Sequence, residues 1–122
     1  MTIGEVKSIL EAKVLVGEER MEEPVVTACG SDLMSDVLAF VKDRTVLITG
    51  LINPHVVRTS EMLDITCIVF SRGKLPSQEI LEEAEESGIT VMSTEMTTYT
   101  ACGELYVHGL PGTKKRAGGE GA

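Results

Sequence analysis

Apolar positions along the chain change period several times, and each change marks an element. Ile3, Val6, Ile9 and Leu10 recur at helical spacing behind Thr2 and Glu5. That pair is a capping box, in which each side chain satisfies a backbone N–H at the helix start. The run Lys13–Val16 reads as a short strand closed by Gly17. An acidic connector over 18–23 follows, ending at Pro24, and residues 25–29 read as a second strand.

A regular alternation begins there. Leu33, Met34, Val37, Leu38 and Val41 form a helical stripe, and Thr45–Thr49 is a buried strand stopped by Gly50. Asn53 followed by Pro54 predicts a helix start, because proline's missing N–H costs nothing at the first helical position. Val56, Val57, Ser60 and Leu63 continue that helix, and Ile65–Phe70 is a continuously apolar strand suited to a sheet covered on both faces. Pro76 is expected in the first turn of a helix that turns Ile80, Leu81 and Ala84 inward and a glutamate run outward. Gly88 stands at its C-terminal end. Residues 89–92 make the last strand, and a final helix is expected over 95–108, stopped by Gly109 and Pro111.

Strands alternating with helices imply an α/β fold, a mostly parallel sheet flanked by helices. In such sheets ligands bind beyond the carboxyl ends of the strands, where helix N-termini present free N–H groups. The candidate ligand-binding residues are therefore those at the strand ends: Gly50, Asn53 and His55; Ser71, Arg72 and Gly73; and Ser93, Thr94, Thr97 and Thr98. Arg72 is the obvious partner for an anion, and the helix starts near Asn53 and Thr94 would add backbone donors. Helix capping alone is the alternative role for each hydroxyl or amide at these junctions. The segment "CGSDLMSDVL" at 29–38 raises the same choice. Ser31, Asp32, Ser35 and Asp36 are expected mainly to start and cap the helix carrying Val37 and Leu38.

Composition narrows the function. The 122 residues fit one domain, expected over 1–111 with a flexible tail over 112–122. A formal charge of −8 argues against a nucleic-acid surface, and no apolar stretch approaches the ~20 residues that span a bilayer. The N-terminus does not read as a signal peptide, so a cytoplasmic location is expected. Cys29, Cys67 and Cys102 are widely spaced, and neither His55 nor His108 completes a metal-ligand pattern, so no metal and no cofactor are expected. Gly73-Lys74 is followed by Leu75, which is not a phosphate loop, and neither a nucleophile elbow nor a dinucleotide fingerprint is present. No complete catalytic apparatus emerges.

The stretch over 45–100 resembles the DRTGG domain family, which is similar to the N-terminal domain of HPr kinase/phosphorylase. "LPSQEILEEAEESGITVMST" and the "TTYT" of residues 97–100 carry the resemblance most clearly, and "SDLMSDVL" and the opening helix are similar to single-domain members. Two motifs depart from the family. Gly50-Leu51-Ile52 stands where an Asp-Arg pair follows the strand-ending glycine, and Ser71-Arg72-Gly73 stands where Thr-Gly-Gly is usual. The resemblance implies an accessory domain of the kind found beside nucleotide-sensing CBS domains, in some phosphotransacetylases, or ahead of a separate kinase domain. Its function is then regulation or assembly, through a small anionic ligand or a protein partner, and the catalytic phosphate loop of the kinase lies outside it. It also hints at partners in hydrogenase or NADH-dehydrogenase-like systems. A small enzyme acting on a phosphorylated metabolite through Arg72, His55 and the hydroxyl rim is the alternative, and a pure protein-interaction scaffold is the third reading. A homodimer is expected through the last helix, where Gly103 permits close backbone approach; packing of Gly103 against its own sheet is the competing possibility.

Overall fold

The computed structural model describes residues 1–40 and 44–112. Helices α1 (Ile3–Leu10), α2 (Met34–Phe40), α3 (Pro54–Met62), α4 (Gln78–Ser87) and α5 (Thr98–Val107) surround strands β1 (Lys13–Val16), β2 (Thr27–Gly30), β3 (Thr45–Thr49), β4 (Ile65–Phe70) and β5 (Thr90–Ser93). The strands form one sheet in the order β1-β5-β4-β3-β2. β2 through β5 are mutually parallel, and β1 closes one edge antiparallel to β5.

The central strands are apolar throughout because both faces are covered. Along β3, Leu47 faces the cluster built with Val37 of α2, Val56 and Val57 of α3, and Ile80 and Ala84 of α4. Its neighbours Val46 and Ile48 face the opposite cluster, with Ile3, Val6 and Leu10 of α1 and Ala101 and Leu105 of α5. Period-two alternation thus supplies two cores from one strand. In β4 the pairing slips by one residue: Thr45 lies opposite Ile65 but Val46 lies opposite Cys67. Thr66 is the extra residue of this bulge, and it lets Ile65 and Ile68 share a face.

Local signals fix most helix starts. Thr2 and Glu5 form the reciprocal capping box at 3.1 and 2.8 Å. Asn53 accepts from the His55 N–H at 2.8 Å with Pro54 opening α3, and Gly88 ends α4 in the left-handed region. Pro76 departs from expectation. It precedes the helix, because Ser77 is the cap and accepts from the Ile80 N–H at 3.3 Å. The last helix starts at Thr98 instead of 95, capped by Thr97, since residues 94–97 fold back over the β4 end. Val41 lies outside the described residues, as do 113–122 of the expected tail. Gly112 still forms a parallel bridge to Ala28 on the free edge of β2.

Candidate functional site

The parallel strands all end on one edge, and three of their loops meet around Gly50. The Ser71-Arg72-Gly73-Lys74 turn leaves β4 with φ of 60° at Arg72 and 67° at Gly73, closed by a 3.3 Å bond from the Lys74 N–H to the Ser71 carbonyl. Two successive positive φ values are the mark of a type I′ turn. Glycine adopts them freely, whereas Arg72 does so at a cost of about 1–2 kcal/mol. The loop after β5 offsets that strain: Met96 and Thr94 carbonyls accept the Arg72 and Gly73 N–H groups at 2.8 and 2.7 Å.

This turn aims the Arg72 guanidinium over Gly50. A Cβ placed on Gly50 would lie 3.0 Å from Arg72 Nη2 and 3.4 Å from Ser71 Oγ, so the absent side chain lets the guanidinium lie close over the backbone. Lys74 returns to the same residue, its Nζ donating to the Gly50 carbonyl at 3.0 Å. Asp32, from the β2 end, takes the other side, with one carboxylate oxygen accepting from the Gly50 N–H at 2.7 Å and the Thr49 hydroxyl at 2.9 Å. Gly50 is therefore held by a carboxylate at its N–H and an ammonium at its carbonyl, with a guanidinium alongside. Arg72 is exposed, and no ion pair to Arg72 or Lys74 occurs among the described residues. Two cations so placed can chelate an anion by charge-assisted hydrogen bonds.

The remaining candidates fall into two groups. Some are consumed by the fold. Thr94 is buried, its hydroxyl donating to the Leu10 carbonyl at the end of α1 at 2.7 Å and thus turned away from the edge. Ser93 donates to the Lys74 carbonyl at 2.9 Å, and buried Ser71 bonds Thr98 hydroxyl-to-hydroxyl at 2.7 Å, pinning the start of α5 to the β4 turn. Asn53 and Thr97 act as caps. Others remain open to solvent: His55 is exposed at the start of α3, and Gly73 is half-buried with the Glu95 carboxylate packed against it. A Cβ at Gly73 would meet Glu95 Oε1 at 2.8 Å. Backbone donors at this edge are largely spent, since the N–H groups of Gly50, Leu51, Arg72 and Gly73 all have internal partners. Around Gly50 and the Arg72 turn, an anion would meet the side chains of Arg72 and Lys74 first.

Asp32, alone of its segment, departs from the capping expectation. Ser31 does bond across the turn, accepting from the Leu33 N–H at 3.0 Å, but Asp32 joins the β2 and β3 ends. Lys74 joins the site through the Gly50 carbonyl and lies outside the candidates named from the strand ends. Its only local signal was a basic residue two positions after Arg72.

His108 lies far from His55. It caps the far end of α5, with Nδ1 2.7 Å from the Glu104 carbonyl, and borders a shallow groove of about 740 Å³ shared with Gly4, Ile9 and Met21. Among the described residues no cluster of three His, Cys, Asp or Glu could hold a metal ion. No described helix is long and apolar enough to cross a membrane. All three thiols are pushed up by burial, Cys67 to about 12, and the neighbouring Cys102 and Asp36 raise Cys29 further.

No curated protein matches the chain. The fold is similar to the solved structure of the CBS and DRTGG domains of the regulatory region of Clostridium perfringens pyrophosphatase, complexed with its activator diadenosine tetraphosphate. The TM-score is 0.71 at 23% identity, over 95% of this chain and 51% of that one, so the present chain spans about half of its neighbour. At that identity the likeness is one of fold. The sequence itself matches the DRTGG domain family over residues 5–106, most of the two-sided sheet and its helices, and the chain belongs to that family.

Proposed function

We propose that this chain is a regulatory binding module that recognises a small anionic ligand at the carboxyl edge of its parallel sheet and performs no chemistry on it. The observation that carries the reading is the convergence of Arg72 and Lys74 on Gly50, with no carboxylate paired to either among the described residues. In a chain of charge −8, two cations held together at a strand-end crevice are a specific local exception. The fold neighbour, a regulatory region complexed with a polyphosphate-bridged activator, supports the same class of role. His55, exposed at the edge, contributes at most a further donor to the ligand, and the hydroxyls of Ser71, Ser93 and Thr98 hold the loops that carry the cations.

Thermal shift against inorganic triphosphate, mononucleotides and dinucleoside polyphosphates tests the proposal. A ligand at ~100 times its dissociation constant adds about 2.7 kcal/mol to stability. Binding should fall at least tenfold in both Arg72→Ala and Lys74→Ala, and remain unchanged in His108→Ala at the far end of α5. No stabilisation by any of these anions, or binding indifferent to both substitutions, would refute the assignment.

A further inference from the structure

Helix α5 is apolar on two sides. Ala101 and Leu105 are buried against the sheet, yet Tyr99, Tyr106 and Val107 on the outer side are 89%, 71% and 74% exposed. A surface helix ordinarily turns a polar face outward, and one that is apolar all round is ordinarily covered. At the centre of this outer stripe stands Gly103. A Cβ placed on it would meet nothing within 4 Å, so it does not pack against its own sheet. A glycine inside a helix costs about 1 kcal/mol relative to alanine, and no contact among the described residues explains that cost.

We infer that the outer face of α5 is the contact between two copies of this chain, crossing about a twofold axis at Gly103. The surface carries both halves of such a contact. A groove of about 560 Å³ lies over Gly103, bordered by Tyr99, Cys102, Tyr106 and Val107. Tyr99 stands four residues before the glycine and Tyr106 three after it, so an antiparallel crossing brings each tyrosine of one copy beside the opposite end of the other's groove. An isologous contact requires this self-complementarity, whereas a foreign partner would have to bring its own projections.

Charge points the same way. Two copies of net charge −8 repel, but Glu104 is the one carboxylate bordering this groove, so the contact itself places few like charges together. The area is sufficient for a modest affinity. At 150–250 Å² per buried aromatic, the two tyrosines with Val107 contribute roughly 400 Å² per copy. The flanking residues bring the pair to about 1,000 Å², the lower bound for a specific interface. The contact shares no residue with the anion site, which draws on the β2, β3 and β4 ends of one copy.

Sedimentation velocity over a micromolar concentration series tests it. The unmodified chain should pass from monomer to dimer, and raised salt should favour the dimer by screening the like charges. Because no described residue of one copy fills the space above Gly103, Gly103→Gln should leave the monomer's packing intact and improve its helix. It should nonetheless weaken the dimer at least tenfold, as should Tyr106→Glu. In a Cys102→Ser background, Gly103→Cys should form an intermolecular disulfide on mild oxidation, since a twofold crossing brings the two 103 positions together. A monomer at high micromolar concentration, dimers unaffected by both substitutions, or no cross-link at position 103 would each overturn the inference.

Discussion

Replacing Asp32 by alanine separates two roles for one carboxylate. As a helix cap, Asp32 would matter about as much as its neighbours Ser31, Ser35 and Asp36, at roughly 1 kcal/mol. In the structure it serves the sheet edge, accepting from the Thr49 hydroxyl and the Gly50 N–H through one oxygen. Hydrogen bonds to a charged acceptor contribute about 1.5–3 kcal/mol when shielded. Asp32 is itself exposed, so the low end applies to each, whereas its partners Thr49 and Gly50 are buried. Thr49 keeps a second bond, from the Leu51 N–H at 3.1 Å, but the Gly50 N–H has no other acceptor among the described residues. The expected loss for Asp32→Ala is about 2 kcal/mol, with Asp32→Asn recovering about half by retaining an acceptor oxygen. With a urea dependence of about 1–3 kcal/mol/M, the denaturation midpoint should fall by about 1 M. Alanine at Ser35 or Asp36 should move it by much less. Equal effects at all four positions, or none at Asp32, would refute the sheet-edge role.

Three further outcomes follow from the same geometry. Arg72→Gly should raise stability by about 1 kcal/mol, because the left-handed backbone at Arg72 then carries no side-chain penalty, while anion binding is lost; urea denaturation and thermal shift read the two effects apart. Gly17→Ala should destabilise by about 2 kcal/mol or more, since φ is 93° and the added methyl would lie 2.9 Å from the Thr90 Cα, a backbone atom that cannot swing aside. Cys67, pushed up to about 12 by complete burial, keeps its proton in the folded chain after the unfolded thiol has lost its own near pH 8.5. Its contribution is thus intact below about pH 8.5 and declines as pH rises toward about 12, by about 1.4 kcal/mol per unit. Cys67→Ala should remove that part of the alkaline slope in urea titrations repeated across pH.

Where a segment's partners are close in sequence, or where burial is continuous, the amino-acid pattern specifies structure directly. β3 and β4 occupy the residues expected of them because their apolar runs are bounded by Gly50, Asp64 and Ser71, and both faces are covered. The Thr2–Glu5 box and the Asn53-Pro54 start are local and equally legible. The β5–α5 connection is not. Thr94 bonds a carbonyl 84 residues away, and Met96 accepts the Arg72 N–H, so a segment with helical spacing becomes a loop. The antiparallel placement of β1 beside β5 is likewise settled by which edge is free, a property of the assembled sheet. At the candidate site, Arg72 stands out as a lone cation between strand and helix. Asp32 and Lys74 do not, since each acquires its role from Gly50, 18 and 24 residues distant.

That dependence bears on how the site works. Gly50 is gripped at its N–H by Asp32 and at its carbonyl by Lys74, while the Arg72 backbone is locked by Met96. The scaffold is therefore ordered before a ligand arrives, and only the two cationic ends must reorient to meet one. Preorganisation of this kind lowers the entropic cost of binding. It also ties occupancy to the loops themselves: an anion that draws the Lys74 ammonium away from the Gly50 carbonyl alters the contact between the β3 and β4 ends. Through Ser71 and its bond to Thr98, the β4 turn is joined to the start of α5. A ligand at this edge thus acts on a connected set of loops that reaches the helix whose outer face is open to a second copy. Hydrogen exchange at Gly50, Ser71 and Thr98 with and without bound triphosphate should show protection rising together at all three. A change confined to Gly50 would show that the site and the helix are energetically separate.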